Sequence, residues 1–241
     1  MIIIGAPDRP TSYRRTRLMP DGHEIAAVHL IAPPAEDDSA RSARIVADTP
    51  HAFMIQQAPH SAVNAHFHFS RQFQVVVRGS GHLGRHAVSP ATVHYAAAET
   101  GYGPIVAGAD GLWYLTLRQV TEFGAEYLPE NAAKMHRGLK RRQYTGEPPS
   151  VLDESTVLIP ADGAGLGAWV QTIPPDASLP PPSGEGGHDR YHAVIEGSVI
   201  VGESLVDGIA VIWRSADEPA LPIVAGPEGA TVAIVQFPGS A

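Results

Sequence analysis

Pro104-Ile105-Val106-Ala107-Gly108 recurs 118 residues later as Pro222-Ile223-Val224-Ala225-Gly226, and the same ungapped offset carries well beyond these five residues. It places Val76 on Val194, Gly79 on Gly197, Ser80 on Ser198, Gly84 on Gly202, Val93 on Val211 and Gly111 on Gly229. A register kept through this many Gly and Pro positions is the mark of a duplicated unit rather than of two glycine-rich segments meeting by coincidence. Each copy spans roughly 120 residues, a fair size for one β domain.

Within each copy the local signals are strands. Phe73 to Val77 and Tyr191 to Ile195 are short β-branched and aromatic runs that end at Arg78-Gly79 and Glu196-Gly197. Leu112 to Leu117, Thr231 to Phe237, Val93 to Tyr95 and Ile209 to Trp213 read the same way. The 24 Gly and 22 Pro of the 241-residue chain punctuate many short segments and favour an all-β fold over a helical bundle. A helical apolar period appears only in Pro129 to Arg142, through Ala132, Ala133, Met135 and Leu139, so a short connecting helix is expected there. Glu147-Pro148-Pro149-Ser150 reads as a linker, and Pro174 to Pro182 as a loop or edge inside the second copy. Met1 to Ile4 is expected to add an edge strand to the other repeat or to another subunit. The expected division is 1–125 for the first barrel, 126–150 for the connector and 151–241 for the second barrel.

Composition removes several function classes. With no cysteine there is no disulfide, no thiolate nucleophile and no sulfur-ligated metal. A net charge of −8 gives no global attraction for nucleic acid, and no stretch reaches the length of a bilayer span, so neither nucleic acid nor membrane is an expected partner. The broken N-terminal Ile run lacks the features of a signal peptide, and the expected location is cytoplasmic. Lys134, Arg137, Lys140, Arg141 and Arg142 form a basic run without interleaved aromatics, which reads as a solvated face or a salt-bridged seam between the repeats. No nucleophile elbow or phosphate-cradling loop is present, and Asp37-Asp38 and Asp153-Glu154 fall in expected loops without the spacing of a catalytic dyad.

The chemistry concentrates in Asn64-Ala65-His66-Phe67-His68-Phe69-Ser70-Arg71-Gln72. On a strand His66 and His68 share one face and Phe67 and Phe69 the other, so two imidazoles about 7 Å apart can converge on one metal ion. A turn after His68 would let the carboxamide oxygen of Gln72 close the site. Gln74 has the same inward parity, and Arg118, at a strand end, is placed to meet an anionic substrate. His60, His82 and His86 fall at turns and read as surface residues.

This pattern resembles the first motif of the cupin superfamily, His-x-His followed by an acidic ligand and a glycine: His66, His68, Gln72 and Gly79 match, with Gln in the usual place of Glu. The stretch Pro90 to Pro104 resembles the second motif, whose final His falls on Tyr102, while His94 lies earlier on the strand. With both repeats covered, the chain looks like a bicupin: all-β, two tandem antiparallel jelly-roll barrels with a short helical connector. The resemblance implies one divalent transition metal (Fe, Ni, Zn, Mn or Cu) on His66, His68 and Gln72, with Tyr102 or His94 as a further ligand or proton carrier. It also implies a homodimer. Adding 118 to the candidate ligands gives Gly184, Gly186, Arg190 and Ala220, and His94 maps onto Ile212, so the second barrel is expected to lack the site unless His188 and His192 form a displaced one.

A dication held by neutral ligands alone would polarise a bound oxygen strongly and favour anionic ligands. The expected function is therefore a metal-dependent enzyme, of dioxygenase or isomerase/lyase type, acting on a small anionic or enolisable substrate in the first barrel. The alternatives are a bicupin that binds or senses a small metabolite or metal without catalysis, and a storage or structural protein.

Overall fold

The computed structural model describes residues 1–19, 22–32, 43–182, 187–219 and 222–239. Its longest strands repeat at the offset found in the sequence: Gln72–Leu83 and Ile105–Arg118 in the first half, Arg190–Val201 and Ile223–Gln236 in the second. All four strand ends are displaced by the same 118 positions. Each pair runs antiparallel at the centre of its sheet. Apolar β-branched residues supply the buried positions of these strands, which is why they run uninterrupted through the core.

The first sheet runs in the order Gln143–Gly146, Val93–Ala96, Gln72–Leu83, Ile105–Arg118, His51–Gln57, Glu24–Ile31, Tyr13–Leu18. The second runs Ile2–Gly5, Ala210–Arg214, Arg190–Val201, Ile223–Gln236, Gly167–Ile173, Ser155–Ile159. Every pairing is antiparallel, and the fold is two tandem jelly-roll barrels. The N-terminal strand crosses to the other repeat, where Ile2 pairs with Arg214 and Gly5 with Val211.

The repeated glycines sit where the paired strands slip register. Gly79 and Gly111 both have φ of +76° and Gly197 and Gly229 have +75° and +77°. A Cβ on Gly79 would lie 2.1 Å from the carbonyl oxygen of Gly111, and one on Gly197 would lie 2.0 Å from that of Gly229. Both the left-handed conformation and the backbone approach exclude a side chain.

The expected helix does not form. Pro129 to Arg142 contains a single 3-10 turn, Ala132–Lys134, that buries nothing, and Leu139 is exposed. Its few apolar residues have no surface to pack against, and Gly138, at φ +84°, turns the chain out of helical conformation. The segment then supplies Gln143–Gly146 as an edge strand of the first sheet. Its basic residues are tied locally, Lys134 to Glu126 at 2.7 Å and the Arg141 Nε to the Glu99 carbonyl at 2.8 Å, while Arg142 reaches Asp162 of the second half at 3.3 Å. In the Pro-rich stretch, Ser178–Leu179 pairs as a short edge strand with Ile223 and Val224. No described helix is long and apolar enough to cross a membrane.

The two barrels share one apolar core. Phe73, Tyr95 and Leu117 of the first pack with Tyr191, Trp213 and Phe237 of the second. Phe73 meets Phe237 edge-on at 5.0 Å and Tyr191 lies 4.8 Å from Trp213. Phe73 and Tyr191 are repeat equivalents, as are Tyr95 and Trp213, so one face of the duplicated unit became the seam. Gly79→Ala or Gly197→Ala is expected to destabilise the chain by about 2–3 kcal/mol each, read as a shift in denaturation midpoint at unchanged slope; a loss below half a kilocalorie would contradict the bulge geometry.

Candidate functional site in the first barrel

The histidine segment enters the barrel as a two-residue strand, His66–Phe67, shorter than the run needed to carry both imidazoles on one strand face. It pairs with Glu126–Tyr127, and His66 also exchanges backbone hydrogen bonds with Tyr102. Phe67 is fully buried on the opposite side, as alternation requires. His66 and His68 nevertheless lie on the same cavity wall, with ring centroids 5.2 Å apart and planes nearly perpendicular.

The polar groups here form a chain whose direction is determined at both ends. The Arg118 Nε, which can only donate, gives its hydrogen to Gln72 Oε1 at 3.0 Å. Gln72 therefore turns its nitrogen away from Arg118 and donates to the Tyr102 hydroxyl at 2.6 Å. At the far end the Asn64 carbonyl accepts from His66 Nδ1 at 2.7 Å, which leaves His66 Nε2 as an acceptor. The Tyr102 hydroxyl donates to that Nε2 at 2.8 Å. The sequence runs Arg118, Gln72, Tyr102, His66, Asn64 without a conflict.

Arg118 is buried, and it lines the cavity while its other sides are held by the protein. One Nη donates to the Glu122 carbonyl at 2.6 Å, the guanidinium lies 5.3 Å from the Phe53 ring centroid, and Tyr191 of the second barrel donates to the Arg118 carbonyl at 2.8 Å. Glu122 points at the loop that carries His68. Its carboxylate accepts from the Phe69 N–H at 2.9 Å, the Ser70 N–H at 2.8 Å and the Ser70 hydroxyl, and stands 3.5 Å from His68 Nδ1. Burial pushes this carboxyl up, but hydrogen bonding to His68, the Arg118 charge and Ser70 outweigh it and hold it down at about 2.

Burial, then the neighbouring His68 and Arg118, lower His66 to about 3. Burial and Arg118, partly offset by Glu122, lower His68 to about 4. Burial pushes the Tyr102 phenol up, so it stays protonated. His94 touches this group through ring packing, its centroid 5.4 Å from that of Tyr102, but takes no part in the hydrogen-bonded chain. Its Nδ1 lies 3.0 Å from the Thr145 hydroxyl, its Nε2 has no partner, and it faces a void of about 10 Å³ behind the cavity. Gln74 lines both spaces and leaves its Oε1 unpartnered. His60 and His82 are exposed and His86 meets Glu147 at 3.2 Å near the surface.

Glu122, His29 and His51 belong to the cavity wall, and the motif spacing does not reach them. His29 Nδ1 and His51 Nε2 are 3.1 Å apart in a buried stack. Burial, then Arg15 and Arg118, lower His29 to about 4, and burial foremost holds His51 well below its usual value. The available signal is isolation: His29 interrupts an otherwise apolar stretch of Glu24–Ile31, and Glu122 stands between Thr121 and Phe123 in a fully buried strand.

The donor set does not fit the divalent ion that the resemblance implies. Gln72 presents an N–H rather than its oxygen, because Arg118 holds the oxygen. The Tyr102 hydroxyl fills the point on which His66 and Gln72 converge, and a guanidinium adjoins it. Among the described residues no three His, Asp or Glu side chains gather as an ion would need. The second barrel repeats the Arg–Gln contact. Arg190 pairs in register with Gln236 and donates to its Oε1, repeating the Arg118–Gln72 pair with the two residues exchanged between strands. His188 and His192 do not form a metal cluster among the described residues; Gly184, Gly186, Ala220 and Asp37-Asp38 lie outside them.

The cavity has a volume of about 510 Å³, room for a small organic molecule. The fold is a pair of tandem jelly-roll barrels in one chain, the architecture that the resemblance to the cupin superfamily implies. No protein-family model and no curated protein matches the chain. Among solved structures it is similar to the bacterial pirin YhhW of Escherichia coli in complex with nickel(II), at 12% identity and a TM-score of 0.61 over 100% of both chains. It is similar to quercetin 2,3-dioxygenase from Acinetobacter baumannii at 14% identity and a TM-score of 0.53, over 98% of this chain and 79% of that one. Vicilin from hazelnut, Corylus avellana, matches at 11% identity and a TM-score of 0.56, over 95% and 86%. At these identities the likeness is one of fold.

Six buried histidines, His29, His51, His66, His68, His94 and His192, have lowered values and stay neutral in the folded chain at pH values where the unfolded chain protonates them. Their stabilisation is complete above about pH 6.5 and is lost as pH falls toward 4, each contributing up to about 1.4 kcal/mol per pH unit. The thermal midpoint should fall steeply between pH 6.5 and 5; a flat profile there would contradict the burial of these imidazoles.

Proposed function

We propose that the first barrel is the active site of an enzyme that moves a proton within a small, enolisable organic anion, in an isomerase-type reaction. The observation that carries this reading is the directed chain from Arg118 to His66, open to the cavity through Arg118, Tyr102 and His66. The Arg118 guanidinium holds the substrate carboxylate. The Tyr102 hydroxyl, kept protonated by burial, turns its hydrogen from His66 to the substrate oxygen that becomes anionic. His66 Nε2, freed as a base, takes the carbon-bound proton, and the Asn64 carbonyl steadies the resulting imidazolium through Nδ1–H. A bound anion offsets the burial and the Arg118 field that hold His66 low, so its basicity rises only when substrate is present. The proton then returns to a different atom of the same molecule, and no outside reagent is consumed.

The competing reading is an ion-dependent oxygenase, favoured by the shared wall of His66 and His68 and the fold likeness to the nickel-bound pirin and the quercetin dioxygenase. One set of measurements separates the two. Protein purified without chelators is expected to hold far less than one ion per chain and to exchange the C3 protons of 2-oxo acids such as pyruvate and phenylpyruvate in deuterated water, followed by NMR. Tyr102→Phe should slow exchange about a hundredfold, and Arg118→Lys, which keeps the charge but loses the fork, should raise KM more than it lowers kcat. One ion per chain, lost in His66→Ala/His68→Ala and accompanied by oxygen uptake, would overturn the proton-transfer reading.

A further inference from the structure

On the sheet that floors the cavity, Arg118 has a neighbour on each side. Gln72 pairs with it on one flank and His51 on the other. The Gln72 flank leads to Tyr102 and His66 and is polar. The His51 flank is made of rings. Alternation along His51–Gln57 turns His51 and Phe53 to the cavity and Ala52 and Met54 to the shared core. His29, paired with Phe53 on the next strand, lines the same flank.

These rings form one cluster. Phe53 lies 4.9 Å from His51 and 5.4 Å from His29, centroid to centroid, and Phe123 meets His51 edge-on at 5.2 Å. Burial foremost keeps both imidazoles neutral, so they support Phe53 as flat, uncharged neighbours. Phe53 itself is half-buried where it lines the cavity, and its ring centroid is 5.3 Å from the Arg118 guanidinium. Glu122 also acts on Arg118, its carboxylate supporting the guanidinium charge that burial opposes. An anion held by Arg118 therefore stands beside an aromatic face.

The bonding of a 2-oxo acid gives its tail a direction. C2 is trigonal. With the carboxylate on Arg118 and the oxo oxygen at Tyr102, on the Gln72 flank, the bond from C2 to C3 leaves away from Gln72, toward the rings. His66 Nε2 lies 2.8 Å from the Tyr102 hydroxyl, close enough to reach a hydrogen on C3 while the oxygen is held. An aryl group on C3 conjugates with the enol and makes that hydrogen easier to remove.

We propose that the substrate is an aryl-substituted 2-oxo acid, its carboxylate on Arg118 and its aromatic ring against Phe53 in the ring-lined flank. This rests on the proton-transfer reading for the roles of Arg118, Tyr102 and His66 and deepens it by naming the substrate class. The keto and enol forms differ in the place of one hydrogen. The C3–H bond breaks, its electron pair becomes the second bond between C2 and C3, and the oxygen takes a hydrogen from Tyr102, which is restored by the one on His66.

Calorimetric titration of the full chain with 3-phenylpropanoate, 3-cyclohexylpropanoate and butanoate tests this. The phenyl acid is expected to bind at least about tenfold tighter than butanoate and about threefold tighter than the cyclohexyl acid. The cyclohexyl ring is the more apolar of the two and would rank first in a site that reads bulk alone. NMR cross-relaxation from the phenyl protons of the bound acid to the Phe53 ring is expected in the unsubstituted chain. Phe53→Leu should abolish the preference for phenyl over cyclohexyl, and Arg118→Gln should weaken all three acids, with thermal melts showing that each variant is folded. A cyclohexyl acid that binds as tightly as the phenyl acid, a preference that survives Phe53→Leu, or no cross-relaxation to Phe53 would overturn the aryl inference, while exchange of pyruvate in deuterated water would still uphold the proton-transfer reading. Binding indifferent to Arg118→Gln, or none of the acids binding, would overturn both.

Discussion

A guanidinium buried without water must find acceptors, and the structure is arranged around that demand at Arg118. Its Nε takes the oxygen of Gln72, and that single choice decides which way the amide faces. The amide nitrogen then faces the Tyr102 hydroxyl, which in turn can donate only to the unprotonated nitrogen of His66. A motif that resembles a metal centre in sequence is thereby converted into a hydrogen-bonded relay. The same cross-strand contact recurs in the second barrel as Arg190 and Gln236, with the residues exchanged. The Arg–Gln pair is thus a feature of the duplicated unit, and what differs between the copies is the chemistry attached to it.

The second barrel contributes to the site of the first. Tyr191 reaches through the shared core to the Arg118 carbonyl, and the Gln119 amide donates to Asp189 at 2.6 Å beside it. Phe73, Tyr95, Tyr191, Trp213 and Phe237 exclude water beneath the floor. In a dry setting of this kind an anion on Arg118 and a neutral imidazole beside it interact far more strongly than they would in water.

The duplicated architecture was legible in the sequence because its signal is local. Gly79, Gly111, Gly197 and Gly229 must be glycine at the bulges, so the repeat survives in the letters even where side chains have diverged. His66 and His68 were picked out by strand parity and the motif, Arg118 by its place at a strand end, and all three line the cavity. The orientation of Gln72 did not, because it depends on Arg118, 46 residues away. Glu122 and the His29–His51 pair were equally out of reach, being placed by strands distant in sequence. The connecting helix was misread because a periodic pattern of alanines carries no information about whether a surface exists to bury it. Chemistry that depends on which atom of an amide points inward is decided by tertiary contacts, and spacing alone cannot reveal it.

The central claim is that His66 Nε2 is an unprotonated acceptor for Tyr102 while Nδ1 carries the hydrogen. Long-range proton–nitrogen correlation spectra of the histidine rings in the full chain read this directly. The account predicts that His66 shows the Nδ1–H tautomer at neutral pH and keeps it down to about pH 5, with a tyrosine hydroxyl proton coupled to its Nε2. A His66 ring protonated at Nε2, or an imidazolium appearing near pH 6, would contradict it.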